Sequence, residues 1–510
     1  MRSIRHFYIA LLLAFTVQSA SAFALLGPFA PWMNGVPGYQ NGLAIGGPMN
    51  IGEGYRWNVP VVTYGYDKSF LDYFGSNGVA AVESAIQILN DLPPASAMDL
   101  TNYPFYSASF NDTAASENLM DLKSTTLILL LEQMGLTAPS TYVFCLSSNF
   151  NLGDAYHDVI VRNFDPSTLN PSEWVNDALL EYVGEAQATG WNVATTWLYP
   201  NGLVSFAVDP TITYQTAVED NIIGHLVGYS WGYAYLPQGI FYQGLTGDDV
   251  GGLRYLLSAT NIALESLIPG VRGSGANATN YVNRALRPGV EKITLQRLAY
   301  DSANNRFVSI TNQYVDSYIT NGSVQTQTLE RAIMQPDILF TMHDLGFTHD
   351  LGHVYASRTG TTNWINNGLP SHDGPGVIQP PVVIALDQLG PSLFPGTPQY
   401  PLTAPSNVAT WLWGSFDDST NTPIVYPVNP PTTNFTTFRL WLSAYGPPHF
   451  NQSYAWNLSG APNALFSLQT STNLTDWLTI GTVTNLGGVF TYEDFVYRST
   501  LRRYFRTMPQ

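Results

Sequence analysis

The spacing of apolar and polar positions divides the chain into helical and extended stretches. Residues 59–64 (Val-Pro-Val-Val-Thr-Tyr) read as a strand, and 76–92 as a helix with Val79, Val82, Ile86 and Leu89 on one face, ended by Pro93-Pro94. A second apolar helix spans 120–134 and stops at Gly135. A third follows Asn170-Pro171, with Trp174, Leu179, Leu180 and Val183 as its buried stripe, and a fourth runs over 246–259. Between them lie strand-like runs, among them 193–208, which folds back at Pro200-Asn201-Gly202. The Gly- and Pro-rich stretch 23–56 predicts a coil laid over the body.

Beyond 266 the pattern turns to alternation. Gly273-Ser274-Gly275-Ala276-Asn277 marks a junction, and alternating runs at 292–300 and 306–310 flank Asn304-Asn305, which is hairpin chemistry. A strand over 382–386 follows Pro380-Pro381. Near the end, Leu465, Ser467, Gln469 and Ser471 oppose Phe466, Leu468 and Thr470. The expected organisation is an α+β N-terminal domain over 23–265, a β-rich domain over 266–400, and a C-terminal region over 401–510. The last ends in a small β-sandwich of the immunoglobulin or fibronectin type III kind. No solenoid repeat is present.

Arg2, Arg5 and His6 precede an apolar run over 7–17, followed by Gln18-Ser19-Ala20-Ser21-Ala22. A charged start, a short apolar run and small residues at −3 and −1 make a secretory signal over 1–22, with the cut expected after Ala22. Crossing a bilayer takes about 20 apolar residues, so no transmembrane span is expected in the mature chain, which would be secreted or held at the cell surface.

With 45% of its 510 residues hydrophobic and 11% charged, the chain is expected to fold rather than stay disordered. Its 37 acidic and 20 basic residues argue against nucleic acid and against an anionic membrane surface as partners. Cys145 is the lone cysteine, so no internal disulfide can form; its apolar neighbours predict a buried thiol. Asn-x-Ser/Thr sequons occur at Asn111, Asn277, Asn321, Asn434, Asn451, Asn457 and Asn473, in a chain whose Asn, Ser and Thr content produces such triplets by chance.

Three of the eight histidines, His343, His349 and His353, crowd into one short segment. On a helix, His349 and His353 would share a face and could hold a metal ion, with Asp350 between them. The segment resembles the zinc-peptidase motif His-Glu-x-x-His, with Asp350 where glutamate would activate water. The departures are the shorter acid and the missing third ligand, since Ala356 and Thr359 stand where the extended pattern has Gly and His. A catalytic zinc, a structural metal and a polar turn of hydrogen-bonded histidines are the three readings.

A second resemblance is to the matrixin-type zinc peptidases. It rests on the strand and helix over 59–92 and on Leu245-Thr246-Gly247-Asp248-Asp249-Val250-Gly251-Gly252-Leu253, similar to the family's closing helix. Thr246 would cap that helix and the two aspartates favour its positive first turn. The place of the metal helix is taken by Thr126-Leu127-Ile128-Leu129-Leu130-Leu131-Glu132-Gln133-Met134-Gly135-Leu136, which has no histidine, so the resemblance implies a degenerate relative over about 59–260 with the site lost.

Asp417-Asp418-Ser419-Thr420-Asn421 clusters oxygens but lacks the spacing of a calcium loop. There is no Gly-x-Ser-x-Gly elbow, and the glycines over 244–252 lack the Lys-Ser/Thr of a phosphate cradle. Phe466 to Trp477 and Arg503-Tyr504-Phe505-Arg506 resemble a short β module that closes many uncharacterised secreted proteins of environmental bacteria, with Trp477 in its core. That resemblance implies export and surface presentation. The favoured expectation is a secreted or cell-surface structural or adhesive protein without catalytic activity, meeting an extracellular protein or glycan. The alternatives are a divergent zinc hydrolase using His349, Asp350 and His353, and a glycan binder using exposed aromatics.

Overall fold

The computed structural model describes residues 22–28, 33, 46–117, 119–148, 157–186, 200–209, 238–301, 306–343, 365–366, 376–387, 412–426, 452–457, 465–471, 477–484, 489–494 and 504–509. The described part is mixed α+β, with more strand than helix.

At its centre lies a four-stranded sheet in the order Thr294–Arg297, Val61–Tyr66, Ile338–His343, Val382–Asp387, with every neighbouring pair parallel. Parallel strands are usually covered on both faces and so read as unbroken apolar runs. Ile338, Phe340 and Met342 alternate with half-buried Leu339 and Thr341, and Val382, Ile384 and Leu386 are fully buried. Gly65 lets the Phe307 ring pack onto this sheet, because a Cβ there would stand 2.6 Å from a ring carbon.

The helix Lys68–Asn90 packs on this sheet, burying Phe70, Phe74, Val79, Val82, Ile86 and Leu89. Asp67 caps it, its side chain accepting from the Phe70 N–H at 2.9 Å. The helix begins earlier than the stripe from Ser76 predicts, because Gly75 (φ 60°) kinks it and puts the first two turns out of phase. The helices Leu122–Gln133 and Gly247–Leu257 fall where the apolar spacing places them.

A second sheet is antiparallel, in the order Ala263–Ser266, Arg284–Arg287, Ile310–Thr320, Ser323–Ile333, Val271–Gly273. Its long hairpin turns at Asn321-Gly322, both at positive φ (50° and 72°), the conformation that tight hairpins require and that Asn and Gly adopt most readily. Of the hairpin expected from 292–300 and 306–310, the two-residue pairing of Tyr300–Asp301 with Arg306–Phe307 is present, while Thr294–Arg297 joins the parallel sheet instead; Asn304-Asn305 lies outside the described residues.

Three expectations are corrected. The helix placed after Asn170-Pro171 is instead a hairpin, Trp174–Val175 against Ala178–Ala186. Its turn residues Asn176 and Asp177 lie at φ 44° and 64°, which no right-handed helix accepts. Pro200-Asn201-Gly202 is not a fold-back: it opens the strand Pro200–Ala207, which pairs with Ala178–Ala186. The stretch 23–56 is more than a draped coil, since Phe23–Gly27 is a fully buried strand bonded to Asn163–Phe164, Gly47–Met49 and Leu136–Thr137.

The junction near 266 is no break in the core. The parallel sheet joins Val61–Tyr66 to three strands beyond it, and one apolar cluster runs from Phe23 to Tyr426. The boundary at 401 also leaves part of the last region in this core. Leu412–Ser415 pairs in parallel with Leu119–Asp121 and antiparallel with Ile424–Tyr426. After 451 the described strands form two small antiparallel sheets, Leu465–Ser471 between Leu478–Thr484 and Tyr504–Pro509, and Gln452–Asn457 with Val489–Asp494. Trp477, expected in the core of this region, is half-buried and carries the Arg506 guanidinium 4.2 Å above its ring.

Candidate functional site at the carboxyl edge of the parallel sheet

The strand order places the second strand of the sheet on one side of Val61–Tyr66 and the third and fourth on the other. Open parallel sheets bind ligands outside the carboxyl ends of their strands where the order reverses, here between Val61–Tyr66 and Ile338–His343. Polar residues lie there: Asp67 and Ser69, at the start of the helix that follows Val61–Tyr66, and Thr341 in Ile338–His343.

Asp67 Oδ1 accepts from the Ser69 hydroxyl at 2.6 Å as well as from the Phe70 N–H, and Oδ2 accepts from the Thr341 hydroxyl at 2.7 Å. Ser69 Oγ in turn accepts the Met342 N–H at 2.8 Å. A serine whose proton goes to a carboxylate and whose oxygen receives a main-chain N–H is held as a brace between helix and strand.

His343 lies next along the strand, in register with Asp387 on the neighbouring strand. An imidazole-bearing and a carboxylate-bearing residue are thus at the same level of the sheet edge. His349, Asp350 and His353 lie outside the described residues. Among the described residues no group of three His, Cys, Asp or Glu side chains is arranged to hold a metal ion.

Thr246 caps Gly247–Leu257 as expected, in a capping box: Thr246 N–H and hydroxyl donate to Asp249 Oδ2 at 2.7 and 2.8 Å, and Asp249 N–H returns a bond to the Thr246 hydroxyl. Asp248 is buried beside it, accepting the Ala22 N–H at 2.8 Å and the Asn176 N–H at 2.7 Å. The helix in the metal helix's place, Leu122–Gln133, buries Leu127 to Leu131 and carries neither His nor Cys. These residues do not fit zinc, which needs nitrogen, sulfur or carboxylate ligands converging on one point. Trp57 packs against the end of this helix and donates its indole N–H to the Gln133 carbonyl at 2.9 Å.

The acid that sequence reasoning missed is Asp121, which caps that helix. Its Oδ2 accepts the Ser124 N–H at 2.8 Å and the Ser124 hydroxyl at 2.5 Å, while Ser124 Oγ receives the Tyr242 N–H at 2.6 Å. Burial pushes its carboxyl up to about 6, against the lowering effect of these bonds. The signal was legible: an acid directly before an apolar helical stripe, with Ser three residues on.

A group whose folded value is raised favours the protonated folded state. Asp121 therefore stabilises least above about 6, and stability recovers as pH falls toward the ordinary aspartate value. Asparagine caps helices as well as aspartate does. Asp121→Asn is expected to raise stability at pH 7 by roughly 2 kcal/mol, with the gain fading by pH 4. Urea unfolding of both proteins at the two pH values checks this, and a loss of stability at pH 7 would refute it.

The remaining candidates are structural. The buried Cys145 thiol donates to the Tyr142 carbonyl at 3.3 Å. Asp417 Oδ1 accepts the Ser419 N–H at 2.9 Å in a solvent-facing turn. Asn111 uses its side-chain oxygen to cap Asp112–Ser116 and its amide to bond the Asp417 carbonyl at 2.7 Å, so a glycan on that sequon would displace a bond of the fold. Comparison with family models, with curated proteins and with solved structures yields no match for this chain.

Proposed function

We propose that this is an exported, non-catalytic structural or adhesive protein, whose terminal strands form a small sandwich-like module for presentation at the cell surface. One observation carries the reading. At the places where chemistry would be sought, the described carboxylates Asp67, Asp121, Asp248 and Asp249 accept hydrogen bonds from their own chain. Each of these acids is thereby accounted for as a helix cap or a tie between elements, a structural task that requires no substrate.

Supporting it, the outer face of the antiparallel sheet offers an uncharged patch near its long hairpin, bordered on the same face by Arg284 and the Arg272–Glu330 pair. Val315 faces Thr328, Ser317 faces Thr326 and Ile319 faces Val324, with Leu286 beside Ile319. Val315 and Val324 are 66% and 62% exposed. The partner class is an extracellular protein or glycan, met by side chains that hydrogen-bond without charge. Aromatics at the surface, Phe105, Tyr106 and Phe110, favour a glycan as the second reading, because flat rings stack on sugar faces.

The test is performed on exported, purified protein. The expected result is no stoichiometric zinc, no hydrolysis of a peptide panel, and adsorption to protein- or polysaccharide-coated surfaces that Val315→Lys with Val324→Lys weakens while the melting temperature holds. Stoichiometric zinc with peptide hydrolysis, both abolished in a variant with His343, His349 and His353 replaced by alanine, would establish the hydrolase instead.

A further inference from the structure

Ala22 is fully buried, and its main-chain nitrogen donates to Asp248 Oδ1 at 2.8 Å across 226 residues of sequence. Asp248 is itself 1% exposed, and its other oxygen takes the Asn176 N–H in the tight turn of the Trp174–Ala186 hairpin. One carboxylate thus joins the start of the Phe23–Gly27 strand, a hairpin turn and the first turn of the Gly247–Leu257 helix. The nitrogen concerned lies at the end of the leader read from the sequence.

Three nearby bonds satisfy the small-residue rule of leader cleavage: Ala24–Leu25, preceded by Ala22 and Ala24 at −3 and −1 but lying inside the buried Phe23–Gly27 strand, Ala22–Phe23, preceded by Ala20 and Ala22, and Ser21–Ala22, preceded by Ser19 and Ser21. They differ in what they do to Asp248. Cutting after Ala22 removes the nitrogen that Oδ1 binds, and taking a donor from a buried acceptor is unfavourable. Cutting after Ser21 keeps that nitrogen in place and converts an amide donor into an ammonium donor, a stronger partner for a carboxylate.

We infer that leader removal cuts the Ser21–Ala22 bond and that the new α-ammonium of Ala22 forms a buried ion pair with Asp248. Hydrolysis by a leader peptidase takes up one water, leaving a carboxylate on Ser21 and a protonated amine on Ala22. The pair latches the first core strand to the helix and the hairpin turn, so that the fold reaches full stability only after processing. This inference rests on the exported reading above and goes beyond it by fixing the cleaved bond and giving the new terminus a task.

Export of the full chain from a bacterial host, then intact-mass measurement and N-terminal sequencing of the released protein, tests the cut. Ala22 is the expected first residue. Phe23 or any other first residue overturns the inference and leaves export standing, whereas an uncut chain retained inside the cell removes export and the inference together. The ion pair is read separately, on mature chains prepared to begin at Ala22 or at Ser21, the second with an uncharged amide at the same place. The chain beginning at Ala22 is expected to melt at least about 2 °C higher, and Asp248→Asn to close that gap. Equal melting temperatures of the two unsubstituted chains overturn the ion pair, with no dependence on how the Asp248 variant folds.

Discussion

Replacing Arg287 with alanine is expected to destabilise the protein by about 3 to 5 kcal/mol, the usual consequence of leaving one partner of a buried ion pair behind. Arg287 is 1% exposed in the middle of the antiparallel sheet. Its Nε donates to Asp316 at 3.0 and 3.3 Å, and Nη2 to Asp316 Oδ2 at 3.2 Å and to the Val282 carbonyl at 2.8 Å. Nη1 donates to the carbonyls of Glu265 and Asn283 at 2.7 and 3.0 Å. Alanine would therefore strand a buried carboxylate, held only by Gln327 Nε2 at 2.7 Å among these partners, and would take one donor from each of three carbonyls, of which Val282 keeps Gln327 Nε2 and Asn283 keeps the Leu267 N–H.

The site is also one link in a chain of guanidinium contacts. Arg56 binds Glu265 at 2.7 Å and the Arg287 carbonyl at 3.1 Å, tying the start of the chain to this sheet. Arg331 pairs with Asp337, which receives the Thr63 N–H at 2.8 Å and so fastens the parallel sheet to the antiparallel one. Urea unfolding followed by tryptophan fluorescence reads the effect. Arg272, paired with Glu330 where solvent reaches, is the control whose replacement should change little. A midpoint shift for Arg287→Ala no larger than the control's would mean that the pair organises nothing.

These contacts show why the sequence is readable in some places and silent in others. Val61–Tyr66, Leu122–Gln133 and the part of Lys68–Asn90 beyond Gly75 announce themselves through local apolar spacing, whereas the starts of both helices depend on the capping acids Asp67 and Asp121, which that spacing does not mark. Nothing local says that Val61–Tyr66 pairs with Thr294–Arg297 and Ile338–His343, because a parallel strand carries no mark of its partner. The Trp174–Ala186 segment misleads because its apolar residues suit a helical stripe, while the turn depends on two left-handed residues, Asn176 and Asp177. The Asn-Gly pair at 321–322 was the strongest turn signal in its region and marks a longer hairpin than the one about Asn304-Asn305. At the sheet edge, His343 stood out by its clustered neighbours, but its register with Asp387 depends on topology alone.

Trp413→Ala is the second large effect, expected at about 3 to 5 kcal/mol for removing a fully buried indole. Trp413 has no exposed surface and lies in the strand paired with Leu119–Asp121, opposite Met120. Its ring meets Phe74 edge-on at 6.2 Å, and Phe74 meets Tyr426 at 5.1 Å, so three rings bind Leu412–Ser415 and Ile424–Tyr426 to the Lys68–Asn90 helix. Tyr426 adds a hydroxyl contact to Ser415 at 2.8 Å. If a separate domain began at 401, emptying this position would loosen that domain and leave the helix untouched. The ring geometry requires the reverse: hydrogen exchange should accelerate in Lys68–Asn90 and Leu119–Asp121 together with Leu412–Ser415, while Leu465–Ser471 and its partners keep their rates. Faster exchange confined to the strands after 451, or a cost below about 1 kcal/mol where burial predicts several, would show that Trp413 belongs to a separate module and not to the central core.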